Sequence, residues 1–311
     1  MAPHAFLPLV ADAEAFRPLR NADIYRPALA EIARRHQLAG EPRRYAGGSL
    51  PVFALGDQHV VKLFPPPFRR NRDNERDALA FLAGRLAVAT PALRAADELD
   101  GWPYIAMAQL PGRRMDEVWP SLGRAARVRL AGQVGAMIGE LQSLPAGGDT
   151  LPYAQIVWDA FIEAQRAGCR ERQAARGADP AWVERIPGFL AALDLTDTRE
   201  SVFLHTEVMP DHMLVTGDGR LSGLVDFEPS MIGGREYEFA SVGLFFAAGD
   251  RELLRAALDE AGCPRDAGLS RRLCGYALLH RYSHLGWYLE RMPPLSGVDS
   301  FDALAEQWFA H

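Results

Sequence analysis

A chain of 311 residues is long enough for about two domains of ordinary size, and 48% apolar residues supply a sizeable core. The 34 basic and 40 acidic residues leave a formal charge of −6, which gives no global field for holding nucleic acid or an anionic membrane and argues against polyanion binding as the main task. Cys169, Cys263 and Cys274 are odd in number and lack metal-ligand spacing, and neither a basic leader nor an apolar run of about 20 residues is present, so the expectation is a soluble cytoplasmic protein without a disulfide framework or metal cluster.

Up to about residue 108 the pattern is strands with one or two helices. Residues 43–64 (RRYAGGSLPVFALGDQHVVKLF) contain two strand-like runs, Pro51–Leu55 and His59–Phe64, around a Gly56-Asp57 turn, with Gly47-Gly48-Ser49 ahead of them. This predicts a hairpin. Over 73–87, Leu79, Leu82 and Leu86 recur at helical spacing and Glu75 leads the same stripe, four residues before Leu79. Trp102–Ala108 is a short apolar strand, and Gln109-Leu110-Pro111-Gly112 carries a Pro-Gly breaker. The expected division is therefore 1–108 and 109–311. Residues 1–100 carry a net +2 and residues 101–311 a net −8, so the acidity belongs to the second part.

From 121 onward helices dominate. Leu122, Ala125, Val128, Ala131, Val134, Ile138 and Leu141 share one face of an amphipathic helix over 121–144. Helical patterns also occupy 157–176, 181–193, 236–249, 251–261, 268–291 and 301–310. Between them, Ser201–Leu204 predicts a strand leading into His205-Thr206-Glu207. Met213–Val215 and Leu221–Val225 predict a hairpin with Asp218-Gly219 as its tight turn. It ends in Asp226-Phe227-Glu228.

Lys62 is the only lysine among the 34 basic residues. In a chain that uses arginine for generic positive charge, it marks a place where a compact ammonium is wanted. With period two it shares a face with Val60 and Phe64. A surface lysine could snorkel there, but a carboxylate at the head of the Glu75 stripe also needs a partner, and a hydrogen-bonded pair offsets much of the cost of burying either charge. Gly47 and Gly48 would let backbone N–H groups approach a phosphate, although such a turn is ordinarily just a turn. In HTEVMPDHMLV (205–215), Glu207 precedes Asp226 by nineteen residues. Two acids at strand ends could divide proton acceptance from a hydroxyl and Mg²⁺ binding, or simply satisfy turn amides. His205 alone is more simply a hydrogen-bonded structural residue.

The ordered set is the specific signal: a Gly-rich turn, a strand lysine, a helix glutamate, an apolar strand ending at a hinge, then H-x-acid, then a strand ending D-F-x. This order resembles the protein-kinase-like fold in its aminoglycoside phosphotransferase branch, from about 43 to 245. WPYIAMAQLPG and the C-terminal helices look most like the hygromycin B kinase subgroup. The resemblance implies a two-lobed α+β fold. A small N-terminal lobe would hold an antiparallel sheet and one key helix, and a larger, mostly helical C-terminal lobe would hold catalysis and substrate. It further implies that Lys62 holds the α- and β-phosphates of ATP or GTP and that Glu75 orients it. Met107 would pack beside the base, and the backbone of Ala108 and Leu110 would pair with its edge. Gly47, Gly48 and Ser49 would approach the phosphates. Glu207 matches the catalytic-base Asp, Asp226 the principal Mg²⁺ ligand, His212 the second ligand, and Glu238 the Asp of the G-D-x-x-x-D-L-A ending.

Three positions depart from that pattern. Glu207 replaces Asp and extends the carboxylate by a methylene, His212 replaces Asn, and Gly234 stands where a further Asp is usual. Neutral imidazole is a poorer Mg²⁺ ligand than an amide oxygen, which leaves the neighbouring Asp211, or a single metal, as alternatives. The leading expectation is an antibiotic-resistance kinase acting on a cationic small molecule. Glu207, Glu228 and Glu238 are its substrate-side acids, with Glu290 and Trp287 as further candidates. Two alternatives stand beside it: a kinase of another hydroxyl metabolite, such as an amino alcohol, a sugar or homoserine, and a nucleotide-binding module without catalysis. The oligomeric state is open.

Overall fold

The computed structural model describes residues 5–145, 157–195 and 201–311. They form two compact units, Met1–Pro111 with Gly223–Pro229, and Gly112–Ser222 with Ser230–His311.

The first unit is built on strands β1 (Pro42–Arg44), β2 (Val52–Leu55), β3 (His59–Leu63), β4 (Leu93–Leu99) and β5 (Trp102–Ala108), in the antiparallel order β1-β2-β3-β5-β4. Directly opposed residues share a face, so the register Val52↔Lys62↔Ile105 puts Lys62 on one face, and Phe53↔Val61↔Ala106 defines the other. That second face buries an aromatic cluster. Tyr25 lies 5.7 Å from Phe53 and 5.9 Å from Trp102, and Phe16 lies 6.1 Å from Trp102. On the Lys62 side packs a helix, α1 (Arg69–Leu82), through Glu75, Ala78, Leu79, Phe81 and Leu82.

This helix starts four residues before the expected 73–87 span and stops earlier. Ala83 takes an extended ψ of 111° and Gly84 a φ of +69°, a left-handed conformation suited to glycine. Strand β4 was not expected from the sequence. It is an edge strand with only Leu99 buried, so it carries no clean alternation. Gly47-Gly48-Ser49 proves to be the β1–β2 turn. Gly47 and Gly48 have φ of +84° and +76°, which fixes them as glycine positions.

In the second unit the predicted 121–144 helix is Arg124–Ser143. Leu122 lies outside it and Ala125 is exposed, so burial begins only at Leu130. A Cβ at Gly135 would come 2.1 Å from the Ala257 carbonyl oxygen, which shows how closely this helix approaches Arg251–Glu260. Trp158–Ala175 agrees with expectation, but 181–193 divides into Pro180–Val183 and Ile186–Ala191. Ser201–Leu204 pairs antiparallel with Met231–Gly234, and Arg113–Arg114 pairs with Met213–Val215. The turn after Val215 is wider than a two-residue turn. Thr216 N–H donates to the Arg220 carbonyl at 2.9 Å, and Gly219 N–H to the Thr216 carbonyl at 2.9 Å.

Helix Glu238–Ser241 runs on as a π-helical stretch, Val242–Ala247. The predicted helix over 268–291 is two helices, Leu269–Leu279 and Leu285–Arg291, because His280 turns to an extended ψ of 138°. Phe301–Phe309 closes the chain's helices. No helix among the described residues is long and apolar enough to cross a membrane.

Candidate active site

The first unit carries a buried charge cluster centred on Lys62, which is only 5% exposed. Its Nζ lies 2.8 Å from Glu75 Oε2, 2.5 Å from Asp226 Oδ1 and 3.3 Å from Glu228 Oε2, and 5.3 Å from the Phe64 ring centroid. The expected Lys62–Glu75 pair is therefore present. Asp226 has a φ of +72°, a conformation that costs a non-glycine residue energy and that concentrates at functional sites. The Asn74 side-chain amide donates to the Glu228 carbonyl at 2.8 Å and so secures the segment following Asp226.

One ammonium faces three carboxylates. Burial opposes the Lys62 charge, yet Asp226, Glu228 and Glu75 together hold its pKa well above the ordinary lysine value. Burial pushes Glu75 up to about 7 against the attraction of Lys62, with Asp226 and Glu228 adding repulsion. The cluster has negative charge to spare. Carboxylate oxygens of Glu75, Asp226 and Glu228 all lie within 4.8 Å of one another. Hard oxygen donors at this spacing fit a divalent cation such as Mg²⁺, with Asp226, whose side chain is 31% exposed, as the accessible member.

Met107, on β5, is buried. The Ala108 N–H is spent on the Ala92 carbonyl at 2.8 Å and the Gln109 N–H on the Gln58 carbonyl at 2.9 Å. Of the two hinge positions expected to pair with a base, Ala108 therefore has only its carbonyl to offer. The Leu110 N–H has no hydrogen-bond partner among the described residues. At the exposed glycine turn, Arg20 donates to the Ser49 carbonyl at 3.3 Å.

The second unit carries Glu207 on a tightly determined loop. Thr206 has a φ of +73°. It is held there because Glu238 accepts the N–H of His205 at 2.7 Å and of Thr206 at 2.8 Å, one on each carboxylate oxygen. The Thr206 carbonyl accepts from His280 Nε2 at 3.0 Å. His212 Nδ1 lies 3.0 Å from the Glu207 carbonyl. A carbonyl can only accept, so Nδ1 carries the proton and, in the neutral ring, Nε2 carries the lone pair. The backbone on both sides of Glu207 is thus pinned while its side chain stays half-buried. Burial pushes Glu238 up to about 8 against its two N–H bonds, and burial holds His280 down at about 4. Asp211 is exposed.

One expectation needs correction. Glu238 is fully buried with both oxygens engaged, so it fixes the loop and does not face a substrate. Glu228, the other expected substrate-side acid of this segment, sits beside Lys62, 11% exposed. Sequence reasoning missed Asn74 and His280 altogether, the latter because it lay inside a stretch read as one helix.

Residues 41–274 match the Phosphotransferase enzyme family. Among solved structures, the GDP complex of aminoglycoside 2'-phosphotransferase-IIIa is 17% identical with a TM-score of 0.65, over 85% of this chain and 96% of that one. The streptomycin–ATP complex of APH(2")-IIa is 17% identical with a TM-score of 0.63, over 83% and 89%. Macrolide 2'-phosphotransferase MphH from Brachybacterium faecium is 22% identical with a TM-score of 0.61, over 86% and 99%. These likenesses establish the α+β, kinase-like fold of the aminoglycoside phosphotransferases. With three quarters of its length matched, the chain belongs to the phosphotransferase enzyme family.

Proposed function

We propose that the chain transfers the γ-phosphoryl group of ATP or GTP to a hydroxyl of a small molecule. The observation that carries this reading is the buried ammonium of Lys62 held between Glu75 and Asp226, a fixed positive point of the kind phosphoryl transfer uses to neutralise triphosphate oxygens. In the first unit, Lys62 would hold the α- and β-phosphates, Glu75 would orient it, and the Gly47-Gly48-Ser49 turn would bring N–H groups to the phosphates. Met107 would pack on the base, with the Ala108 carbonyl and the Leu110 N–H reading its edge. Asp226 and Glu228 would hold Mg²⁺, which when bound supplies further neutralisation of the phosphate oxygens. His212 offers nitrogen, a poor match for Mg²⁺, and its bond to the Glu207 carbonyl assigns it to positioning that residue. Glu207 would take the proton of the attacking hydroxyl as the new O–P bond forms and the bond to the leaving nucleoside diphosphate breaks. The proposed division of labour is 1–108 for the nucleotide and 109–311 for catalysis and acceptor.

The relatives with bound GDP and ATP support the nucleotide assignment. An aminoglycoside acceptor is supported by the fold likeness to aminoglycoside phosphotransferases and by the net −8 of residues 101–311, and a place in the hygromycin B subgroup by the sequence resemblance of WPYIAMAQLPG. The test is mass spectrometry after incubation with Mg²⁺, ATP or GTP and a panel of hydroxyl compounds that includes hygromycin B. One compound should gain a phosphate. No nucleotide-dependent gain on any compound, with no thermal shift by Mg-ATP or Mg-GTP, would refute the reading.

A further inference from the structure

Two arginines meet beside the β1–β2 turn on the side of the sheet that Lys62 does not face. The register pairs Arg44 with Phe53 and Phe53 with Val61, so Arg44 stands on the aromatic face, opposite Lys62. Its guanidinium lies 5.9 Å from the Tyr25 ring centroid and 6.0 Å from that of Phe53, and it donates to the Arg20 carbonyl. Arg20 donates from Nε to the Arg17 carbonyl at 3.2 Å and from Nη1 to the Ser49 carbonyl at 3.3 Å. Burial pushes the Tyr25 phenol up to about 12, and the Arg44 and Arg20 charges pull it back, so both charges act at this one place.

Arg20, Arg44, Tyr45, Ala46, Gly47 and Gly48 line an open cavity of about 350 Å³ with no carboxylate in its wall. The hydrogen bonds of both arginines run to backbone carbonyls, which leaves two positive charges unneutralised and most of their N–H donors unspent. The N–H groups of Ala46, Gly47 and Gly48 donate to no acceptor among the described residues. A Cβ at Gly47 would meet nothing within 4 Å, and one at Gly48 only the Leu50 carbonyl oxygen at 4.0 Å. The space beside the turn is therefore open to a ligand, and the missing side chains let it reach the backbone. Guanidinium forks match phosphate oxygens, and two unpaired cations match the charge of a dianion, where a carboxylate would leave one over.

We propose that this cavity binds a phosphate dianion, free or as the head of a small phosphate monoester. It is a second anion site, set on the face of the sheet opposite the one where Lys62 would hold a triphosphate, and both can be filled together.

The test is calorimetry of the full chain at pH 8 and low salt, with inorganic phosphate, glycerol 3-phosphate and acetate, each alone and with saturating Mg-ADP. One of the two phosphates should bind with a Kd of about 1 mM or tighter, and the tighter of them identifies the source. Mg-ADP should move that Kd by less than about twofold, and acetate should bind at least about tenfold more weakly. Arg44→Gln should weaken the phosphate at least about tenfold. Arg20→Gln, at an exposed position, should do the same and serves if Arg44→Gln does not fold. No phosphate binding, displacement of phosphate by Mg-ADP, equal binding of acetate, or an unchanged Kd in a folded variant would overturn the proposal. It stands apart from the phosphotransfer reading: absence of a thermal shift with Mg-ATP would refute that reading and leave the arginine effect on phosphate intact.

Discussion

The ammonium of Lys62 and the carboxylate of Asp226, 164 positions apart in the chain, lie 2.5 Å from each other. Glu75 and Glu228 complete a cluster whose acids outnumber its single base.

Lys62→Met removes the one positive charge from three carboxylates. Loss of one partner of a buried ion pair costs about 3–5 kcal/mol, and nucleotide-induced thermal stabilisation should vanish with it. Part of the cost is repulsion that a proton can relieve. Glu75, already pushed up to about 7, will rise further without Lys62, so the deficit should be smaller at pH 5.5 than at pH 8. Urea unfolding at both values checks this, and an equal deficit would place the cost elsewhere.

Asp226→Asn should behave in the opposite way toward folding. It removes one of the surplus negative charges and leaves Lys62 paired with Glu75, so the melting temperature should stay level or rise. Phosphate transfer should nevertheless fall by about 10²–10³-fold, the scale of losing one electrostatic contact in a transition state. The two readouts are a melting curve and an initial rate.

Glu207→Gln keeps the shape of the side chain and removes its basicity. Transfer should fall by about 10²–10⁴-fold with folding stability nearly unchanged, since the pinning of this loop runs through the backbone and through Glu238, His280 and His212. Undiminished turnover would favour another base.

Stability should depend on pH through two groups that hold the Glu207 loop. His280, lowered from 6.5 to about 4, contributes stability that is present above about 6.5 and lost as pH falls toward 4. Glu238, raised from 4.5 to about 8, contributes stability that is full below about 4.5 and lost as pH rises through 8. Glu75 follows the same sign up to about 7. From pH 7 to 8.5 the loss therefore belongs mainly to Glu238. The melting temperature should decline over that interval, and Glu238→Gln should flatten the decline although it lowers stability overall.

The Lys62 cluster was partly legible because an ammonium on an apolar strand face and a carboxylate on an apolar helix stripe each demand a partner. The contact of Glu228 with Lys62 was not legible, because it depends on a tertiary fold-back that spacing alone does not encode. Glu238 was misread because an acid that serves two backbone amides looks, in sequence, like any acid near a site. Strand β4 escaped notice as a half-exposed edge, and the break at His280 escaped because apolar periodicity runs on through it. At the break the His280 ring bonds the distant Thr206 carbonyl. Periodicity reports burial faces, and it is silent on the polar contacts that reach across the fold.

Because Lys62 is the only lysine, side-chain amine acylation of this protein can report on one place. Enclosed and held firmly protonated, that amine should resist acylating reagents in the resting chain. A labelling time course, followed by peptide mapping, would then read directly how often the cluster opens.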